Sequence, residues 1–335
     1  MTATRRTFST VLATLGSVAL LPVWAQSSSV NTGPSSSPSD FPNHPLRYVV
    51  PFAAGGLTDV MARLVGQKLT ESLKQPVIID NKPGGNANLG ADFVAKSPPD
   101  GYTWLAVTLA HAVNQSLFNT LTYSLEKNLL PVVQLASSPL VLVVNASNPA
   151  KTLKEFLERA KTQQLSAGSS GNGTPPHLGL ELLAGNAKLD VTHIPYKGGA
   201  PSMNDLMGGQ LDFVVSNLPE SVAFIKSGKL RALAVTSAQR HALLPDVPTF
   251  TEQGMTDMEL ENWTGLMVPA GTSKAIIDRI ALEAVRTVRT ADVAARIGTL
   301  GFTVTGLGPA EFAAIVQKDT ARWREIIKVR RIKAE

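Results

Sequence analysis

The chain has 335 residues, 44% of them hydrophobic, with 31 Lys+Arg against 26 Asp+Glu and no cysteine. Without cysteine neither a disulfide framework nor a thiolate metal site is available, and a chain of this size can bury a core without either. The formal charge of +5 is mild and spread out, apart from Lys328, Arg330, Arg331 and Lys333, which read as a solvated helix end rather than a nucleic-acid patch.

Residues 1–25 read as an export signal. Arg5 and Arg6 give the positive start, Val11 to Leu21 the apolar run, and Val23-Trp24-Ala25 the small-residue cleavage site before Gln26. The apolar run is too short to span a membrane. Thr4-Arg5-Arg6-Thr7-Phe8 also resembles a twin-arginine signal, so both export routes stay open, and either leads to the periplasm. Residues 26–44 are a Ser/Pro-rich tether with too little apolar content to fold. Loss of the signal leaves a charge of +3, from 29 basic and 26 acidic residues.

From Leu46 onward strands alternate with helices, which predicts βαβ units and largely parallel sheets. Strands are predicted at 47–52, 77–80 and 103–108, with helices at Asp59 to Leu73 and Leu89 to Lys96. Pro131 to Ala146 holds two apolar runs broken by Ser-Ser-Pro and reads as the crossing into a second domain. There a helix at Leu153 to Gln163 leads to a strand that ends near Ser169. Strands follow at 191–196, 212–217 and 230–236, with helices at Ser202 to Met207 and Pro219 to Ser227. A strand at Trp263 to Val268 and helices at 273–290, 291–298 and 309–328 return to the first domain. The predicted fold is α/β with two lobes. Residues 45–138 and 237–335 form a discontinuous first lobe and 139–236 the second, with ligand held in the cleft between them.

Two loops carry the functional signal. In SAGSSGNGTPPHLGLELL (166–183) a glycine-serine loop runs into a helix with Thr174 as predicted N-cap and Pro175 at its first position. In YVVPFAAGGLTDVMARLVGQKL (48–69) a strand runs into Ala53-Ala54-Gly55-Gly56 before a helix. Such amides at a helix N-terminus suit an anion. Donors are expected from Ala54, Gly55, Gly56 and the run from Ser170 through Gly171 and Gly173 to Thr174, with hydroxyls of Ser169, Ser170 and Thr174 added. Asp59 is expected to satisfy amides at its helix start. Tyr196, Lys197 and Gly198 should lie on the same rim, because ligands of open α/β sheets bind at the carboxyl ends of strands.

Enzyme motifs are incomplete. G-x-S-x-G needs glycine where Asn172 stands, a P-loop needs lysine where Thr174 stands, and Gly85 to Gly90 lies too far past its strand for a dinucleotide fingerprint. No Asp or Glu has a recognisable pairing with His177 or His193, and the five histidines lack metal spacing. His177, in the first helical turn after the loop, either holds the loop's shape or bonds ligand. The reading is binding without turnover, with no cofactor and no metal.

Several motifs together resemble the receptors of the tripartite tricarboxylate transporters, the Bug-type solute-binding proteins. They are PFAAGGLTD (51–59), N-K-P-G-G-x-x-x-x-G (81–90), PPDGYT (98–103), AGSSGNGTPPHLGLELL (167–183), HIPYKGGAPSMNDLMGGQLD (193–212), GKLRALAVTS (228–237) and LPDVPTFTEQG (244–254). The resemblance implies a hinged, two-lobed fold of the type II periplasmic binding protein kind, with two crossing strands. It implies a small carboxylate ligand, partly held through water, and delivery to two integral membrane transporter subunits. Contacts would fall near Phe52 and Ala54 to Gly56, and at Ser169 to Thr174 with His177 behind. Asn217 is counted with them, and the receptor is read as a monomer. The chain departs from the family pattern at Ala54 and Leu57, at the leucine in TLAHAVNQSLF (108–118), and at Ser216, where aspartate is frequent. The last departure argues against an amino-acid ligand. A serine-dependent hydrolase using Ser169 or Ser170, and a receptor for a membrane signalling partner, are the alternatives.

Overall fold

A computed structural model describes residues 40–333. The export signal and the tether up to residue 39 lie outside the described residues. The tether's last residues are packed rather than free. Phe41 is buried edge-on to Tyr102, the Asn43 amide donates to the Tyr102 hydroxyl, and His44 stacks on the same ring.

In chain order the first elements are β1 (Leu46–Val50), α1 (Leu57–Leu73), β2 (Val77–Asn81), α2 (Asn88–Ala95), β3 (Thr103–Thr108), α3 (Leu109–Leu117) and α4 (Leu125–Asn128). β4 (Leu129–Asn145) leads to α5 (Leu153–Ala160), β5 (Leu165–Ser169), α6 (Pro175–Ala187), β6 (Val191–Pro195), α7 (Gly199–Met207), β7 (Phe213–Asn217), α8 (Leu218–Lys226) and β8 (Leu230–Val235). The chain ends with β9 (Glu261–Pro269), α9 (Lys274–Arg289), α10 (Ala291–Thr299), β10 (Thr303–Leu307) and α11 (Pro309–Arg330). The helices follow their apolar spacing: α1 buries Met61, Leu64, Val65, Leu69 and Leu73, one stripe at helical period.

The strands join in the order β2-β1-β3-β9-β4-β7-β5-β6, with β8 and β10 also on β4. Two parallel triplets, β2-β1-β3 and β6-β5-β7, flank a centre in which β9, β4, β7, β8 and β10 pair antiparallel. The sheet is therefore mixed, parallel where helices cross over and antiparallel where the chain passes between its halves.

β4 differs most from the sequence reading. The two apolar runs form one 17-residue strand through Ser137-Ser138-Pro139. Proline is tolerated because pairing changes there: Leu129 to Pro139 lie along β9, and Leu140 to Asn145 lie along β7 and β8. Thr236 reinforces the change, accepting the Leu140 amide at 2.8 Å and donating to the Leu140 and Leu260 carbonyls. α3 and β10 are also absent from the sequence reading.

Gly265 of β9 admits close packing between sheet and helix, since a Cβ there would meet the Phe312 ring and the Val133 carbonyl. The carbonyl belongs to a paired strand and cannot retreat. Gly265→Ala is expected to destabilise the protein by about 1–3 kcal/mol, read from urea unfolding midpoints, through overpacking.

Candidate functional site

In each parallel triplet the loops leaving the carboxyl ends form one edge. Residues 51–56 and 82–87 follow β1 and β2 and Thr108 ends β3, while residues 170–174 and 196–198 follow β5 and β6 and Asn217 ends β7. Six helices, α1, α2, α3, α6, α7 and α8, start at these edges. The edges meet. Asn86 Nδ2 donates to the Asn172 carbonyl at 3.4 Å and Gly173 leaves room for the Leu117 side chain, while Asn262 of β9 donates to Asn217 Oδ1 at 3.2 Å.

The first loop is braced by Asp59. Its side chain is 2% exposed and accepts from the Gly55 amide at 2.8 Å, Arg63 Nε at 2.9 Å and Asn81 Nδ2 at 2.9 Å. Burial alone would raise this carboxyl, but Arg63, Gly55 and Asn81 outweigh it and hold it below the usual carboxylate range. Asn81 also donates to the Phe52 carbonyl at 3.2 Å, and the Gly56 amide turns back to the Ala53 carbonyl at 3.3 Å. The Phe52 ring lies edge-on to buried His111, which caps α3 by accepting the Thr108 amide at 3.1 Å. Beside it Asn86, Asn88 and Asn114 interlock: Asn114 Nδ2 donates to the Asn86 carbonyl at 2.8 Å and to Asn88 Oδ1 at 3.0 Å. The loop of residues 82–87 thus shapes the rim and packs α2.

The second loop is also satisfied largely from within, which corrects the expectation that its hydroxyls and amides are offered outward. Thr174 Oγ1 does not cap α6. It donates to the Gly171 carbonyl at 2.6 Å, and the Thr174 amide points to the same carbonyl at 3.3 Å. The Gly173 amide, one residue ahead of the N-cap position, donates to His177 Nδ1 at 3.0 Å, so His177 ties the loop to the first turn of α6. Buried Ser169 accepts the Gly171 amide at 3.1 Å and lies 2.7 Å from His193 Nε2. Ser170 donates to Glu220 Oε2 at 3.2 Å. These bonds set the loop's shape, because the Gly171, Gly173 and Thr174 amides find partners within the loop and the first turn of α6.

His177 has the acidic partner that the sequence reading denied it. Glu181, one helical turn on, places Oε1 at 3.5 Å from His177 Nε2, and the His177 ring stacks on His193 with centroids 4.2 Å apart. The His177 bond holds the Glu181 carboxyl below the usual range despite its burial. Among the described residues no carboxylate hydrogen-bonds His193, and no group of three or more His, Cys, Asp or Glu could hold a metal ion. Ser169 is fully buried, so its closeness to His193 serves the loop rather than a substrate.

The other sequence candidates lie on the same edge. The Tyr196 hydroxyl donates to Asp205 at 2.6 Å, Lys197 is exposed, and Gly198 has φ 108°, a backbone suited to glycine at the start of α7. Asn217 is buried at the start of α8. The sequence reading missed Asn86, Asn114, His111, His193 and Glu220. Only Glu220 had a local signal, since Asn217 and Glu220 have the spacing of a capping box.

This architecture defines a two-lobed solute receptor of the periplasmic binding protein class. Residues 61–332 match the tripartite tricarboxylate transporter family receptor, and the chain belongs to that family. It is 32% identical to protein BugT of Bordetella pertussis over 87% of this chain and 91% of the relative. Among solved structures, the periplasmic binding protein BugD is 31% identical with a TM-score of 0.77, covering 88% of this chain and 99% of that one. Rpa4515 of R. palustris, solved with adipate, is 32% identical with a TM-score of 0.81 over 88% and 99%. MatC of Rhodopseudomonas palustris, solved with bound malate, is 32% identical with a TM-score of 0.76 over 86% and 100%.

Burial pushes His111 and His193 down to about 4, so both are neutral in the folded protein, with His177 adding to the effect on His193. A folded value below the ordinary 6.5 means that the unfolded chain takes up protons first as pH falls. Stability is therefore full above pH 6.5 and lost between 6.5 and about 4. Wholly buried His111 alone is expected to cost about 2 kcal/mol at pH 5, and His111→Asn to flatten that part of the pH profile of the melting temperature.

Proposed function

We propose that the protein is a periplasmic receptor that captures a small organic acid between the two facing edges and delivers it to a tripartite tricarboxylate-type transporter. The observation that carries this reading is the convergence of six helix N-termini on one meeting line. Their partial positive charge favours an anion there. The malate and adipate held by two relatives favour a small carboxylate as that anion. In this reading the lobes are residues 45–138 with 237–335, and 139–236, hinged where β4 changes partners. The ligand lies between Phe52 to Gly56 and Ser169 to Thr174, with Tyr196, Lys197, Gly198 and Asn217 on the rim. Asp59 and His177 act behind the loops, as braces of their shape.

Export through the N-terminal signal, a monomeric receptor and two integral membrane partners complete the proposal, with no catalytic turnover and no cofactor. Ligand draws the lobes together only by the extra affinity it has for the closed form.

A thermal-shift screen against organic acids and neutral sugars tests the class. Ligand that binds only the native state raises the melting temperature. A rise with carboxylates alone is expected; a response to sugars alone would remove the carboxylate reading. Gly56, the N-cap of α1 at φ −73°, has room for a side chain apart from the Ala53 carbonyl. Gly56→Asp is expected to fold normally, since aspartate caps helices well, yet to weaken carboxylate binding about tenfold or more by like charge. Thr174→Val, which removes the 2.6 Å bond to Gly171, is expected to weaken it less, by about threefold. Unchanged affinity in both variants would place the ligand elsewhere.

A further inference from the structure

Glu220 is out of place in a loop cluster read as an anion site. It stands in the first turn of α8, half-buried, with its carboxylate against Gly199, where a Cβ would overlap it. Gly199 opens α7, so the carboxylate sits over that helix's N-terminal end. The Ser170 hydroxyl donates to Oε2 at 3.2 Å, and the Asn217 side chain bonds it as well. Among the described residues no basic side chain pairs with it. Burial outweighs the bonds from Asn217 and Ser170 and leaves the Glu220 carboxyl above the usual carboxylate range.

The direction of the Ser170 bond decides what this corner can bind. The Ser170 hydroxyl points its proton at Oε2, so that proton is committed to Glu220. Ser170 then offers lone pairs to anything that enters beside it. A ligand carboxylate placed there would meet only the oxygen lone pairs of both side chains. A ligand hydroxyl or ammonium would meet two acceptors ready for its proton.

We propose that Ser170 and Glu220 form an acceptor-only subsite that selects carboxylic acids bearing a hydrogen-bond donor over their unsubstituted counterparts. The inference rests on the receptor reading above and adds a rule for the ligand's second functional group. The carboxylate lies toward the helix N-termini of the opposite edge, and the donor lies toward Ser170 and Glu220.

Calorimetric titration of the purified protein with succinate, malate, aspartate and adipate tests the rule, because malate and aspartate are succinate with one added donor. The wild type is expected to prefer malate or aspartate over succinate by about tenfold or more, as a hydrogen bond to a charged group allows. Malate as the tighter of the two identifies a hydroxyl as the donor, and aspartate an ammonium. In Glu220→Ala the preference is expected to fall to within about twofold, with succinate binding gaining, because the Ser170 proton is released. Glu220→Gln keeps the side chain's volume should the alanine variant fold poorly, and is expected to cut the preference at least about threefold. Carboxylate binding without a donor preference, or a preference unchanged in the variants, overturns the subsite and leaves the receptor reading intact. Absence of binding by any of these acids and by the wider carboxylate panel overturns both.

Discussion

One strand sets the geometry on which the site depends. β4 runs unbroken from Leu129 to Asn145, and the halves of the sheet hang from its two ends. Each half carries a parallel triplet, and a parallel strand followed by a helix must present its carboxyl end and a helix N-terminus at the same edge. With one triplet tied to β4 directly through β7 and the other through β9, the two edges come together, and Asn86 and Leu117 of one touch Asn172 and Gly173 of the other. The meeting line is thus a consequence of topology before any particular side chain is considered.

Side chains then decide what the meeting line can hold. Both loops spend much of their hydrogen bonding internally, through Asp59 in one and through His177, Ser169 and Thr174 in the other. Loops of small residues gain a fixed shape in this way, and rigid donors lose less entropy on binding than mobile ones. What remains for an anion is the summed field of the helix ends, a softer attraction than a ring of bare amides. That field tolerates a half-buried carboxyl such as Glu220 at the start of α7 and α8.

Much of this was legible in the sequence because it depends on local periodicity. The helical stripe of α1, the glycine-serine loop before Pro175, and the strands of both triplets could be read from residues alone. β4 was not, because Pro139 and two serines mark a loop in any local reading, and only pairing with β7, β8 and β9 makes them a strand. α3 hid because its capping box, opened by Thr108, is closed at the third helical position by His111 rather than by the usual Glu or Gln. The hydroxyls of Ser169 and Ser170 were visible, but their partners His193 and Glu220 lie 24 and 50 residues away. Residue type announced a polar loop. Direction of its hydrogen bonds required the fold.

Ligand is proposed to sit where the two edges meet. A crystal structure of the protein with its best-binding carboxylate tests this most directly. Density is expected between the loop of residues 52–56 and the loop of residues 169–174, with the ligand's carboxylate facing helix N-termini. Density in the polar groove between α6 and α11, around Asn186, Arg322 and Arg330, with the edges empty, would contradict it.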